Sequence, residues 1–108
     1  MNEGSYITRR TLTTIYECWD GDCDEYPTGG AIAPFYRVDV GQQRVTATDA
    51  SGRVSPILRA ERLADRLLLQ GGESGRAWSV LIARTGRLTG SILTEDGSFS
   101  LFGACMVP

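Results

Sequence analysis

Three cysteines and a run of carboxylates are the side chains of this chain best placed to do chemistry. Cys18, Cys23 and Cys105 are its only thiols, and Trp19 is followed by Asp20, Asp22, Asp24 and Glu25. The complement is just as informative. All eleven basic residues are arginine, and there is neither lysine nor histidine. Without histidine the chain lacks the commonest general base and the commonest metal ligand. Without lysine it lacks Schiff-base chemistry and the lysine of a phosphate-binding loop. Any catalysis would have to come from carboxylates, hydroxyls, tyrosines or a thiol.

None of these forms a convincing catalytic set. Cys23 sits among acids, and negative surroundings disfavour the reactive thiolate. Paired carboxylates can hydrolyse glycosides when held across a cleft at fixed separation, but here they crowd into one segment. Asp20, Asp22 and Asp24 alternate like the start of a calcium loop. The sixth position is Glu25 where an EF-hand has glycine, and the twelfth is Ala31 where it has glutamate. Three thiols spaced by five and eighty-two residues, with no histidine, make a poor zinc set. The sequence is therefore read as non-enzymatic, with no catalytic residue, no metal and no cofactor. Trp19, Asp20, Asp22, Asp24 and Glu25 are the candidate surface for a basic protein partner, since an aromatic beside uncompensated carboxylates can both steer and anchor. A merely solvated acidic turn is the plainer alternative.

An odd number of cysteines allows one internal bridge. Cys18 closes the first strand and Cys105 lies near the end of the last, so a sheet curling to bring those strands together predicts a Cys18–Cys105 bridge. Closing so long a loop would stabilise the fold by roughly 4–5 kcal/mol. Cys18–Cys23, a tight local loop, is the main competitor.

The elements that must position these residues are extended. Tyr6 to Trp19 reads as one long strand with Leu12, Thr14, Tyr16 and Cys18 on one face. Asp20 to Ala33 reads as a loop. Phe35 to Val40 turns Tyr36, Val38 and Val40 inward, Gly41-Gln42 turns, and Val45 and Ala47 answer on the next strand. Ala77 to Ala83 alternates with Trp78, Val80 and Ile82 inward. Thr85-Gly86 and Glu95-Asp96-Gly97 bound the strand Leu88 to Thr94, and Phe99, Leu101 and Cys105 share a parity on the last. Ser55 to Gln70 is ambiguous. It could be a helix with Ser55 as cap, Pro56 in the first turn and Gly71-Gly72 at its end. It could equally be two strands about a turn at Ala64-Asp65, which the extended neighbours favour.

The expected fold is all-β: a single small antiparallel meander closing toward a barrel of about eight strands. An α+β fold with one helix near Ser55–Gln70 is the alternative. At 108 residues and 42% hydrophobic content the chain supports one domain with its own core. No apolar run approaches a membrane-spanning helix, and no basic tract suggests nucleic acid. Net charge is −2, but Thr11 to Tyr36 holds five acids and no arginine. Cysteine use suggests export, so a periplasmic or secreted location is expected, with a signal peptide already removed and a start methionine supplied.

Tyr16-Glu17-Cys18 and Phe102-Gly103-Ala104-Cys105 resemble the ends of small exported proteobacterial domains of unknown function. So do Asp65-Arg66-Leu67-Leu68-Leu69-Gln70-Gly71, Trp78-Ser79 and Thr85-Gly86-Arg87-Leu88. The tyrosine-x-cysteine opening and closing cysteine are also similar to the periplasmic inhibitor of c-type lysozyme. That resemblance implies a small antiparallel barrel tied by a disulfide. The chain departs from that family's Ser-Gly-x-x-Tyr and Lys-Gly signature, because Trp78 follows Ser74-Gly75 and lysine is absent. The reading is thus an exported binding module. An inhibitor of a basic envelope hydrolase, with the Trp19–Glu25 loop in its cleft, is the first alternative. A carrier holding an apolar ligand inside the barrel is the second.

Overall fold

Turn residues cut the chain into nine strands with no helix among the described residues, which are 7–27, 32, 35–47, 52–73 and 75–106 of the computed structural model. The strands are β1 (Ile7–Trp19), β2 (Asp22–Glu25), β3 (Phe35–Asp39), β4 (Arg44–Ala47), β5 (Val54–Leu63), β6 (Arg66–Glu73), β7 (Arg76–Ile82), β8 (Arg87–Thr94) and β9 (Ser98–Met106). The all-β expectation holds. Ser55–Gln70 is two strands, with Leu63 opposite Arg66 and Ala64 in the left-handed region at φ 57°. Helical spacing there was an accident of composition, because the β6 register puts Leu69 opposite Val80 of β7.

Every pairing is antiparallel, and the pairings run in a ring. From β3 to β9 each strand bonds the next, while β1 bonds β3 through residues 7–11 on one side and β9 through residues 9–18 on the other. Eight strands make this ring, and β2 is a ninth, attached only to the far end of β1. The curled sheet closes because its inward residues need a common interior. Leu12, Ile15, Ile32, Val38, Ile57, Leu69, Ile82, Leu88 and Leu101 are buried together, and Trp78, Val80, Ile92 and Phe99 pack against them.

The core is layered. Across β6, β7, β8, β9 and β1 one layer reads Leu67, Ile82, Leu88, Gly103 and Leu12; the next reads Leu69, Val80, Gly90, Leu101 and Ile15. A third reads Gly71, Trp78, Ile92, Phe99 and Glu17. Trp78 lies inward, as its parity predicts, and its indole N–H donates to the Ser55 hydroxyl at 2.8 Å. Gly71 makes room for that ring, since a Cβ there would stand 2.3 Å from Trp78 Cζ2 and 2.4 Å from the Pro56 carbonyl oxygen.

A bulge corrects the expected face of β1. Leu12 is opposite Gly103 and Thr14 opposite Phe102, so Thr13 is the extra residue and alternation restarts after it. The buried residues are therefore Leu12 and Ile15, while Tyr16 is exposed against Phe102, their rings edge to face at 6.4 Å. Threonine suits the bulge because its hydroxyl donates to the Phe102 carbonyl at 3.1 Å. A second bulge, between Ile57 and Arg59, turns Leu58 out to 72% exposure.

Candidate functional site

Asp20 and Gly21 have φ of 50° and 85°, the left-handed pair that a two-residue hairpin turn requires. The segment expected as a loop thus begins as a β-hairpin, with Trp19 opposite Asp22, Cys18 opposite Cys23, Glu17 opposite Asp24 and Tyr16 opposite Glu25. Asp-Gly between strands was the available signal, hidden by the low β-propensity of the aspartates around it.

The disulfide joins Cys18 to Cys23, with Cα atoms 4.1 Å apart, and not Cys18 to Cys105. The correction has a simple cause. Because β1 and β9 are antiparallel, the ends of the two strands lie at opposite ends of the pair. Cys18 is opposite Ser98, whereas Cys105 is opposite Arg10. The seven residue steps from Ser98 to Cys105 span roughly 23 Å of strand. Under non-reducing conditions, peptide mapping should return Cys18 bound to Cys23. Replacing both by serine should cost roughly 2 kcal/mol in the chain-entropy relation, well below what a bridge to Cys105 would give. A loss of 4 kcal/mol or more in a urea titration would contradict the short loop.

The hairpin divides the acidic run between two faces. Strand alternation places Glu17, Trp19, Asp22 and Asp24 on one face, and Tyr16, Cys18, Cys23 and Glu25 on the other. Of the five residues singled out from the sequence, Trp19, Asp22 and Asp24 share a face, Asp20 stands at the tip, and Glu25 is turned away beside Tyr16. All five are exposed, Trp19 to 46%.

Beside this hairpin lies the β8–β9 turn, which the sequence showed only as a turn. It is tied by its own bonds: Thr94 N–H donates to the Gly97 carbonyl at 2.9 Å, and Gly97 N–H donates to the Thr94 hydroxyl at 3.1 Å. Gly97 lets it sit close, because a Cβ there would fall 2.3 Å from the Cys18 carbonyl oxygen. Between the two tips is an open groove of about 600 Å³, lined among others by Glu17, Trp19, Asp20, Glu95, Asp96 and Phe99. Glu95 and Asp96 thereby join the acids of the hairpin, a juxtaposition set by the β1–β9 register and invisible in linear order.

Among the described residues no arginine lines the groove. Arginines pair elsewhere, Arg53 with Glu73 at 3.9 Å, Arg84 with Asp65 at 3.9 Å and Arg59 with Glu61. One end of the barrel therefore presents concentrated negative charge, which attracts cationic surfaces over about a Debye length. Among the described residues no group of three or more Cys, Asp or Glu is arranged to hold a metal ion. Cys18 and Cys23 are consumed in the bridge, which leaves no thiol nucleophile at this end. No described helix is long and apolar enough to cross a membrane.

Fold and site together define a closed antiparallel β-meander with an acidic, disulfide-braced end. No protein-family model, curated protein or solved structure matches the chain.

Proposed function

We propose that this chain is an exported, non-enzymatic binding module that offers its acidic end to a basic protein. The observation that carries the reading is the convergence of Glu17, Asp20, Glu95 and Asp96 around the half-exposed Trp19 in a groove that no arginine among the described residues lines. Charge of one sign speeds encounter with a partner of the other, and an exposed indole provides the apolar anchor such encounters need. The decisive experiment is a pull-down from an envelope extract at low salt. Wild type is compared with a variant in which Asp20, Asp22, Asp24 and Asp96 are asparagine and Glu95 is glutamine. Wild type is expected to retain a basic protein that the variant loses, and association is expected to slow about tenfold or more on neutralisation or in high salt. Equal recovery by both proteins would refute the reading and leave the acids as a solvated surface.

Inhibition of a basic envelope hydrolase is the second reading. It is favoured by the shape of the hairpin: β3 pairs with β1 only through residue 11, while β2 pairs with residues 16–19, so the two-residue tip stands past the end of β3. A retained partner with hydrolase activity, inhibited by wild type and not by the asparagine variant, would select this reading. The carrier reading loses support from the described interior, where Ile15 and Leu69 are fully enclosed by other side chains.

A further inference from the structure

β2 turns a row of backbone donors and acceptors to solvent. One of its sides is bonded to β1, and among the described residues no strand is bonded to the other. Antiparallel alternation decides which residues use which side. Trp19 and Asp22 flank the two-residue turn, so they exchange both of their backbone bonds, and Glu17 and Asp24 do the same two residues further along. The Tyr26 N–H continues the series by donating to the Ile15 carbonyl at 2.8 Å. Asp22, Asp24 and Tyr26 thus spend their backbone groups on β1, whereas Cys23 and Glu25 aim theirs outward. The 4.1 Å between the Cα atoms of Cys18 and Cys23 agrees, being the close spacing of a pair that exchanges no backbone bonds. All four β2 residues are exposed. Cys23 and Glu25 therefore offer two donors and two acceptors at the repeat of an extended chain, the arrangement to which a peptide adds as a further strand.

The side chains beside this edge name its occupant. Asp22 and Asp24 stand two residues apart on the face of Trp19, and among the described residues no arginine is ion-paired with either. An added strand sets alternate side chains of its own opposite both, where opposite charges stabilise and like charges repel. On the other face Cys23 presents the disulfide, an apolar contact for the residue between them. The β2 strand of a second copy would bring three more carboxylates and is repelled. Carboxylates alone attract any cation; the outward backbone groups restrict the choice to an extended chain.

We infer that the open edge of β2 takes an extended segment of a basic protein as an antiparallel strand, with arginine or lysine opposite Asp22 and Asp24 and an apolar residue opposite Cys23. This rests on the basic-partner reading above and adds to it how the partner is held. Charge selects the segment and steers it in, and main-chain bonds fix its register.

Calorimetric titration of the intact, disulfide-bonded protein with a short peptide alternating arginine and valine tests it. With arginines opposite the aspartates, the valine amides face β2 and the arginine amides face away. N-methylation of the valine amides is expected to weaken binding about tenfold or more, since it removes main-chain donors; N-methylation of the arginine amides is expected to leave binding unchanged. Amide exchange should slow at Cys23 and Glu25 when the unmodified peptide is added. On the protein side, Glu25→Pro removes an outward N–H at a position where an edge strand tolerates proline, and Glu25→Gln removes only the charge. Glu25→Pro should bind more weakly than Glu25→Gln; if it misfolds, the methylated peptides decide alone. Equal binding of the two methylated peptides would overturn strand addition and leave the basic-partner reading in place. No binding of any peptide, with a basic protein still retained in the pull-down, would do the same. Failure of both peptide and pull-down would overturn the two together.

Discussion

Replacing Gly71 by valine should unfold this protein at temperatures where the wild type is stable. Even the first added carbon would lie 2.3 Å from the Trp78 ring and 2.4 Å from the Pro56 carbonyl oxygen. The ring cannot yield freely, since its N–H is bonded to Ser55. The carbonyl belongs to β5, whose backbone is fixed by β4 and β6. Overpacking of this kind costs typically 1–3 kcal/mol, and backbone on one side places it at about 3 kcal/mol or above. For a domain of this size the melting temperature should fall by roughly 12 °C or more. Gly72→Ala is the control: its nearest obstacle is the Arg76 carbonyl at 3.2 Å, and its Cβ meets no ring. Thermal melts of the two variants separate the cases, and equal melting temperatures would contradict the packing of Trp78 over Gly71.

The second large effect is Ile15→Ala, expected to cost about 3–4 kcal/mol as a fully buried branched side chain is removed. Its neighbour gives the contrast. Tyr16→Ala should cost less than about 1 kcal/mol, because Tyr16 lies outside and contacts chiefly Phe102. Urea denaturation of the pair reads the bulge directly. Without the extra residue at Thr13, Thr14 and Tyr16 would share the buried face with Leu12, and the order of the two losses would reverse.

That reversal explains how much of the fold was legible. Where alternation ran unbroken between glycine turns, as in Trp78, Val80 and Ile82 or in Phe99 and Leu101, residue types alone gave the inward face. The same was true of Tyr36, Val38 and Val40. It failed on β1 because a bulge costs one residue of register and leaves no compositional trace beyond a threonine. The disulfide was misjudged for a related reason. Two strands can be first and last in sequence and adjacent in space, yet antiparallel pairing keeps their C-terminal ends apart. The candidate site was half legible. Trp19 and Asp20 stood out by their types and line the groove, whereas Asp22 and Asp24 share the hairpin face of Trp19 without lining it, Glu25 is turned to the other face, and Glu95 and Asp96 reach the groove only through tertiary register.

The ring of pairings has one further consequence, for solubility. In an open sheet the two outermost strands can recruit further chains, which is how soluble β proteins begin to form fibrils. Here β1 and β9 close on each other, and among the described residues the sides without a bonded strand are that of β2 and that of β5 over residues 58–63, which β4 does not reach. β2 is four residues long, and three of them are carboxylates. Extending it with another molecule would stack like charges at the spacing of neighbouring strands. The acids that concentrate potential at this end of the barrel thus also guard the open edge of β2, and neutralising them exposes that edge to edge-to-edge aggregation at high concentration.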